Sequence, residues 1–166
     1  MPRTQVSDVY WLGYLLTGDY ERTAEILIDG LEMPDAANPF FEGWMMTWSR
    51  KIFIAKVLGS VKPELDRAQL RDRLRRLQAE TRKGLPRIEH VAGKANLERA
   101  LLAIDPFSRC ALLLRVFEKL AVEDVATLLN SDRESVTTAT AIGLIELARN
   151  LAEDQKSTEA NRVKAA

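Results

Sequence analysis

Histidine and cysteine are almost absent: the chain has one of each, His90 and Cys110. A Ser/His/Asp or Cys/His set therefore cannot be assembled from alternatives, and no Gly-rich phosphate loop or metal cluster appears, so neither catalysis nor any metal or cofactor is expected. His90 lies in a polar stretch with no second His or Cys to share an ion, and it is read as a surface residue. Cys110 has no partner for an internal disulfide and sits in a Leu-rich run, which suits a buried structural thiol in a reducing compartment. Charge of one sign is also missing. Twenty-four basic residues balance twenty-four acidic ones, which argues against a general polyanion or membrane-surface binder held by charge. No apolar run approaches the length of a membrane span, and no charged start followed by an apolar core and cleavage site opens the chain. The expectation is a cytoplasmic protein that does not touch membrane.

What is present is helical periodicity. With 166 residues, 46% of them hydrophobic and 29% charged, the chain has the apolar mass for one domain or two small ones. An all-α fold is expected, with two small helical domains joined by a basic helical linker, at 1–61, 62–95 and 96–152, followed by a polar tail at 153–166. Gln5–Thr17 carries Val9, Trp11 or Leu12, Leu15 and Leu16 at helical spacing. Gly18 and Asp19 then supply a turn and a cap for a second helix, Tyr20–Glu32, with Ala24, Leu27, Ile28 and Leu31 inward. Asn38-Pro39 restarts a helix to about Val61, in which Phe41, Trp44, Met45, Trp48, Ile52, Ala55 and Leu58 share a face. The first sixty residues thus read as a bundle of about three helices.

Lys62–Lys94 holds ten basic residues against five acidic ones (Lys62, Arg67, Arg71, Arg73, Arg75, Arg76, Arg82, Lys83, Arg87 and Lys94 against Glu64, Asp66, Asp72, Glu80 and Glu89). Pro63–Lys83 reads as a helix with a narrow seam of Leu70, Leu74 and Leu77. It is either a solvated linker or a surface that neutralises nucleic-acid phosphates without reading sequence. Asn96 is expected to cap the next helix, with Leu97, Ala100, Leu101 and Ile104 inward. Asp105-Pro106 starts a Leu-rich helix whose Phe107, Cys110, Ala111, Leu114 and Phe117 form one face. Leu112, Leu113 and Val116 widen that face until the helix is apolar nearly all round, the pattern of a central buried helix.

Leu120–Val136, LAVEDVATLLNSDRESV, has the form of two helices joined by a tight polar turn. Val122, Val125, Ala126, Leu128 and Leu129 mark one buried face. Asn130 tolerates the left-handed backbone of a helix end, and Asp132 is a strong N-cap. A second helix then begins at Arg133, with Val136, Ala139 or Thr140, Gly143, Leu144, Leu147 and Leu151 inward. Past Leu151 the apolar pattern fades.

This region resembles the C-terminal promoter-reading region of bacterial sigma factors of the extracytoplasmic-function type. In that family a Leu-Pro-x-x-x-Arg-like start leads to a Leu-rich helix, a Glu-Gly-Leu-Ser-like link and a helix-turn-helix. Here these are Ile104-Asp105-Pro106 with Arg109, then Leu112–Arg115, then Glu118-Lys119-Leu120-Ala121. The helix-turn-helix pattern ending in Gly falls on Asp124, Val125, Ala126, Leu128, Leu129 and Asn130. Ala121 stands where the family has a Ser or Thr cap, so that helix start should be weaker by about 0.5–2 kcal/mol. More faintly, Leu16-Thr17-Gly18-Asp19 with Ala24-Glu25 is similar to the segment by which the family grips RNA polymerase, and Phe41-x-x-Trp44…Ile52 is similar to its promoter-melting helix.

The resemblance implies partners and residues. Core RNA polymerase would meet Ile26 and Asp29, although the family's Asp, Gln and Glu are replaced there by Ile26, Asp29 and Gly30. Promoter DNA would meet Trp44, Trp48, Arg50 and Lys51 in the first half and Arg133, Glu134, Thr137, Thr138 and Ala141 in the second. Helical spacing equally suits Trp44 and Trp48 to core packing. The recognition helix departs from the family in charge. Leu97–Leu151 has six basic residues (Arg99, Arg109, Arg115, Lys119, Arg133, Arg149) and eight acidic ones (Glu98, Asp105, Glu118, Glu123, Asp124, Asp132, Glu134, Glu146), a net of −2. Lost phosphate contacts weaken binding by orders of magnitude at physiological salt. Two uses are open: a divergent sigma factor that reads DNA through Thr and Ala methyls, or a sigma mimic that binds an anti-sigma factor or polymerase. In the second, Ile142 and Ile145 would form an apolar docking patch.

Overall fold

The computed structural model describes residues 3–31, 42–76 and 93–164, and among them every regular element is a helix. The chain divides into two compact units, Met1–Pro63 and Glu64–Ala166. No described helix is long and apolar enough to cross a membrane.

The first unit contains α1 (Arg3–Thr17), α2 (Tyr20–Leu31) and α3 (Glu42–Ser60). The α1–α2 turn is built by its own residues. Gly18 takes φ 77°, a conformation that costs an L side chain roughly 1–2 kcal/mol. The Asp19 carboxylate accepts the Arg22 amide at 3.0 Å, so it caps α2 as its residue type suggests. The Thr23 hydroxyl donates to the Asp19 carbonyl at 2.7 Å and lies 3.0 Å from the Thr17 hydroxyl. Tyr14 stacks on Tyr20 with centroids 3.6 Å apart.

That network rotates α2 away from the face expected from its aliphatic residues. Thr23 is fully buried while Ile28 is 68% exposed. A satisfied hydroxyl can enter a core at little cost, whereas an unsatisfied one cannot. Among the described side chains of α3, Phe53, Ile54, Val57 and Leu58 are buried and Ile52 is half-buried. Ala55, expected inward, is exposed. The side chains of Leu31 and of Phe41, Trp44, Met45 and Trp48 lie outside the described residues.

In the second unit, α4 (Lys62–Arg76, from Glu64 onward) is followed by α5 (Lys94–Leu102) and α6 (Pro106–Leu112). Residues 77–92 of the expected linker, His90 included, lie outside the described residues, as do the side chains of Leu70 and of residues 72–76, Leu74 among them. The N-cap of α5 is Gly93, not Asn96, because Asn96 and Leu97 already donate their amides to the Gly93 carbonyl at 3.0 Å. α6 begins as expected: Asp105 accepts the Phe107 amide and Pro106 occupies the first turn, where its missing N–H would have no partner anyway. Arg109 is nearly buried and donates to the carbonyls of Leu102 and Ile104 at 3.0 and 3.4 Å. The Pro-x-x-Arg spacing therefore closes the end of α5.

The Leu-rich helix does not stay α-helical or buried to its end. Phe107 to Leu114 are buried, but Leu113–Phe117 widens into a π turn, marked by the Glu118 amide on the Leu113 carbonyl at 3.0 Å. The extra residue in the turn rotates the end of the helix, and Val116 and Phe117 are exposed rather than central. Cys110 is fully buried, and the loss of hydration pushes its thiol from 9.0 to about 12, against the nearby Arg109 charge.

α7 (Val122–Leu128) and α8 (Arg133–Lys164) complete the unit. α8 runs for 32 residues, so the expected polar tail continues as helix through Lys164. Gly143 lies tight against α6: a Cβ there would stand 2.8 Å from the Ser108 carbonyl oxygen. Farther along, Asn150 donates to the Ala100 carbonyl of α5 at 2.9 Å.

Candidate nucleic-acid interface

The region from Glu118 to Val136 is shaped by two left-handed residues. Lys119 has φ 54° and comes after the π turn, with the Leu120 amide returning to the Leu114 carbonyl at 3.0 Å. Arg115 donates to the Leu120 carbonyl and holds the link. α7 then starts from Ala121, whose extended backbone is that of an N-cap but which offers no side-chain acceptor. At the far end of α7, Asn130 has φ 50°. The Ser131 amide reaches the Ala126 carbonyl at 2.8 Å and the Asn130 amide the Thr127 carbonyl at 3.2 Å. These two bonds define a Schellman ending. Asp132 caps α8, accepting the Ser135 amide at 2.7 Å and its hydroxyl at 2.8 Å. Both helix ends at this turn are thus capped from within it.

Packing fixes what α8 turns outward. Val136, Ala139 and Gly143 are buried, whereas Arg133, Glu134, Thr137 and Ala141 are exposed and Thr138 is half-buried. The structure brings these five candidate residues onto one face of α8. Leu144, expected inward, is 43% exposed, because the buried side of α8 shifts from α6 and α7 toward α5 along its length. Ile142 and Ile145 are half-buried near it.

The chemistry of this face differs from its shape. The Arg133 guanidinium lies 2.8 Å from the Glu123 carboxylate of α7, with both side chains exposed. Thr137 and Thr138 donate their hydroxyl protons to the carbonyls of Arg133 and Glu134 at 2.8 and 2.9 Å. Their methyls and hydroxyl lone pairs remain, which suits contact with a thymine methyl or acceptance from an exocyclic amine. After Arg133 the next cation along α8 is Arg149.

The remaining candidates belong to the first unit. Lys51 is exposed and Arg50 half-buried on α3. Ile26 is half-buried on α2, and exposed Asp29 lies 3.8 Å from Lys56. The side chains of Trp44 and Trp48 lie outside the described residues. Among the described residues, no group of three or more His, Cys, Asp or Glu is placed to hold a metal ion.

Sequence reasoning did not find two contacts. Gln69 of α4 donates to the Ser131 hydroxyl at 2.7 Å, inside the turn between α7 and α8. Arg71 of α4 lies 3.4 Å from the Asp105 carboxylate at the start of α6. Neither pairing carries a local spacing signal, since the partners are far apart in the chain. Comparison with family models, with curated proteins and with solved structures returns no match to this chain.

Proposed function

We propose that the chain is a sigma-like regulator of transcription initiation that engages core RNA polymerase and promoter DNA, with α8 entering the major groove. In this reading the first unit serves as the polymerase-facing and promoter-melting half, the second as the promoter-reading half, and the protein acts in the cytoplasm as a binding protein, not an enzyme. The observation that carries it is the backbone of residues 118–136. Lys119 and Asn130 adopt left-handed φ at the two positions where the resemblance has Gly, and Ala121 has an N-cap backbone where it has Ser or Thr. Side chains have diverged at all three positions, yet the local geometry that the family residues would favour is present. A helix pair of this form presents the N-terminal side chains of its second helix to base edges.

One observation favours a second use of the same scaffold. Arg133, the cation at the start of α8, is held by Glu123, and the surrounding Leu97–Leu151 is net acidic. A sigma mimic that docks on an anti-sigma factor or polymerase needs the shape but not the charge, and Ile142, Leu144 and Ile145 would then form its contact.

Fluorescence anisotropy with duplex DNA, combined with co-purification on core polymerase, separates the two. DNA binding at low salt that weakens in Arg133→Ala supports promoter reading. Polymerase or anti-sigma capture with no DNA binding at low salt supports the mimic. Capture of neither partner, with no DNA binding, overturns both.

A further inference from the structure

The outward stripe of α8 has an uneven hydrogen-bonding inventory. Glu134, Thr137, Thr138 and Ala141 are spaced so that their side chains share one face of the helix. Glu134, Thr137 and Ala141 are exposed and Thr138 is half-buried. From Glu134 to Ala141 the stripe runs about 10.5 Å at 1.5 Å per residue. That length matches about three base pairs at 3.4 Å each.

Donors are what this stripe is short of. Four hydroxyls lie between Arg133 and Ala141, and every one already donates within the helix or its cap. Ser135 donates to the Asp132 carboxylate at 2.8 Å, Thr137 to the Arg133 carbonyl at 2.8 Å, Thr138 to the Glu134 carbonyl at 2.9 Å and Thr140 to the Val136 carbonyl at 2.8 Å. Thr137 and Thr138 keep their methyls and oxygen lone pairs, Ala141 has a methyl alone, and the ionised Glu134 only accepts. Among the side chains from Arg133 to Ala141, the donor left is the Arg133 guanidinium, which lies 2.8 Å from Glu123. In the major groove guanine presents two acceptors, N7 and O6, whereas adenine and cytosine each present a donating amine and thymine a methyl. A carboxylate and hydroxyl lone pairs set against N7 and O6 meet charge of their own sign. The stripe therefore repels guanine as well as failing to bind it.

We infer that Glu134, Thr137, Thr138 and Ala141 are the specificity-determining residues of the interface, and that they select a short guanine-free, thymine-containing run on the strand they face. The ligand is duplex DNA carrying that run in its major groove, and the inference rests on the promoter-reading function proposed above. Thr137, Thr138 and Ala141 meet thymine methyls, and Glu134 accepts from the amine of cytosine or adenine. Of the side chains from Arg133 to Ala141, Arg133 is the one able to donate to a guanine. A guanine in the site therefore falls beside the start of α8, outside the run.

The test is selection of the full chain on a pool of randomised duplexes at low salt, followed by anisotropy on the enriched duplex. Replacing the thymines of the enriched run by uracil removes only their methyl groups. Binding should weaken about four-fold for each methyl in contact. Thr137→Ser/Thr138→Ser deletes two methyls and keeps both hydroxyls, so it should narrow the thymine-to-uracil ratio, which a general loss of fold would not do. Replacing guanine by 7-deazaguanine removes the N7 acceptor. No more than a single guanine should respond, and Arg133→Ala should abolish that response. Glu134→Gln adds a donor and should raise affinity for a duplex with one guanine placed in the run. If the enriched duplex has no thymine in its contacted run, or binds equally well in its uracil form, the selection assigned to this stripe is overturned while promoter reading stands. If the wild type binds no duplex at low salt, both fail together.

Discussion

At the α1–α2 turn, Gly18 takes the left-handed backbone and Asp19 caps the next helix. At the α6–α7 link the same two tasks fall to Lys119, with φ 54°, and to Ala121, which has no capping atom. The first turn is specified where it stands, because Gly18 and Asp19 each prefer the geometry they adopt. The second is imposed from outside. Arg115 holds the Leu120 carbonyl, and Leu113 and Leu114 before the link and Val125 after it are buried. Local sequence and backbone agree at the first turn and disagree at the second. Such disagreements cost stability, and they tend to persist where tertiary packing or function over-determines the geometry.

The largest expected contrast is chemical and probes the packing that holds the second unit. Burial pushes the Cys110 thiol from 9.0 to about 12. Alkylation at pH 8 should therefore be orders of magnitude slower in the folded chain than in denaturant, because the thiolate is the nucleophile. Linkage fixes the sign of the pH dependence. The folded thiol keeps its proton where the unfolded one ionises, so its contribution is complete below pH 9.0 and is lost as pH rises toward about 12. Rapid alkylation without unfolding would mean the α6 core is loose.

Next in size are the two close approaches. Gly143→Ala puts a methyl 2.8 Å from the Ser108 carbonyl oxygen, which belongs to the backbone of α6. A loss of about 1–3 kcal/mol in denaturant unfolding is expected. Gly13→Ala meets the Phe53 ring and the Thr23 methyl at 2.7 Å. These are side-chain atoms, but both residues are buried and the Thr23 hydroxyl is held by Asp19 and Thr17, so a comparable loss is expected. A larger loss in Gly13→Ala would show that the first unit is the more tightly determined of the two.

The caps should respond with opposite signs. Asp19→Ala removes a used cap and should cost about 0.5–2 kcal/mol. Ala121→Ser supplies a missing one and should gain a similar amount, while Lys119→Gly should gain about 1 kcal/mol by relieving the left-handed backbone. Thermal melts of the three variants check this. Gains absent at both positions of the link would mean that its backbone is not in the conformation described.

The smallest expected effect concerns charge. Glu123→Gln releases Arg133 from its surface ion pair. Such exposed pairs contribute about 0–1 kcal/mol to folding, so the melt should barely move. Duplex DNA affinity should rise several-fold at low salt, with the gain absent in an Arg133→Ala background.

Legibility in the sequence divides by how local the signal is. The turn at Gly18-Asp19, the cap at Asp105, the left-handed Asn130 and the cap at Asp132 all appear where their residue types point. Each is a local preference acting on local backbone. The inward face of α2 escapes an apolar count because Thr23 is buried through hydrogen bonds to Asp19 and Thr17, and such a count passes over a satisfied polar residue. The π turn at Leu113–Phe117 has no residue signature, so simple α periodicity puts Val116 and Phe117 inside. Residues 152–164 have the look of a tail for want of an apolar stripe. They include several Ala, Glu, Gln and Lys residues, and these favour helix without one. At the candidate interface the five α8 residues fall on one face, while the contacts of Gln69 and Arg71 on α4 with Ser131 and Asp105 follow from no local pattern.

The central claim is that the second unit keeps a groove-fitting scaffold and binds duplex DNA with it. Amide chemical-shift mapping of the full chain titrated with a short duplex at low salt tests this most directly. The account predicts saturable shifts concentrated over Ser131–Ala141. Shifts confined to α1–α3, or no shifts at saturating DNA, would contradict it.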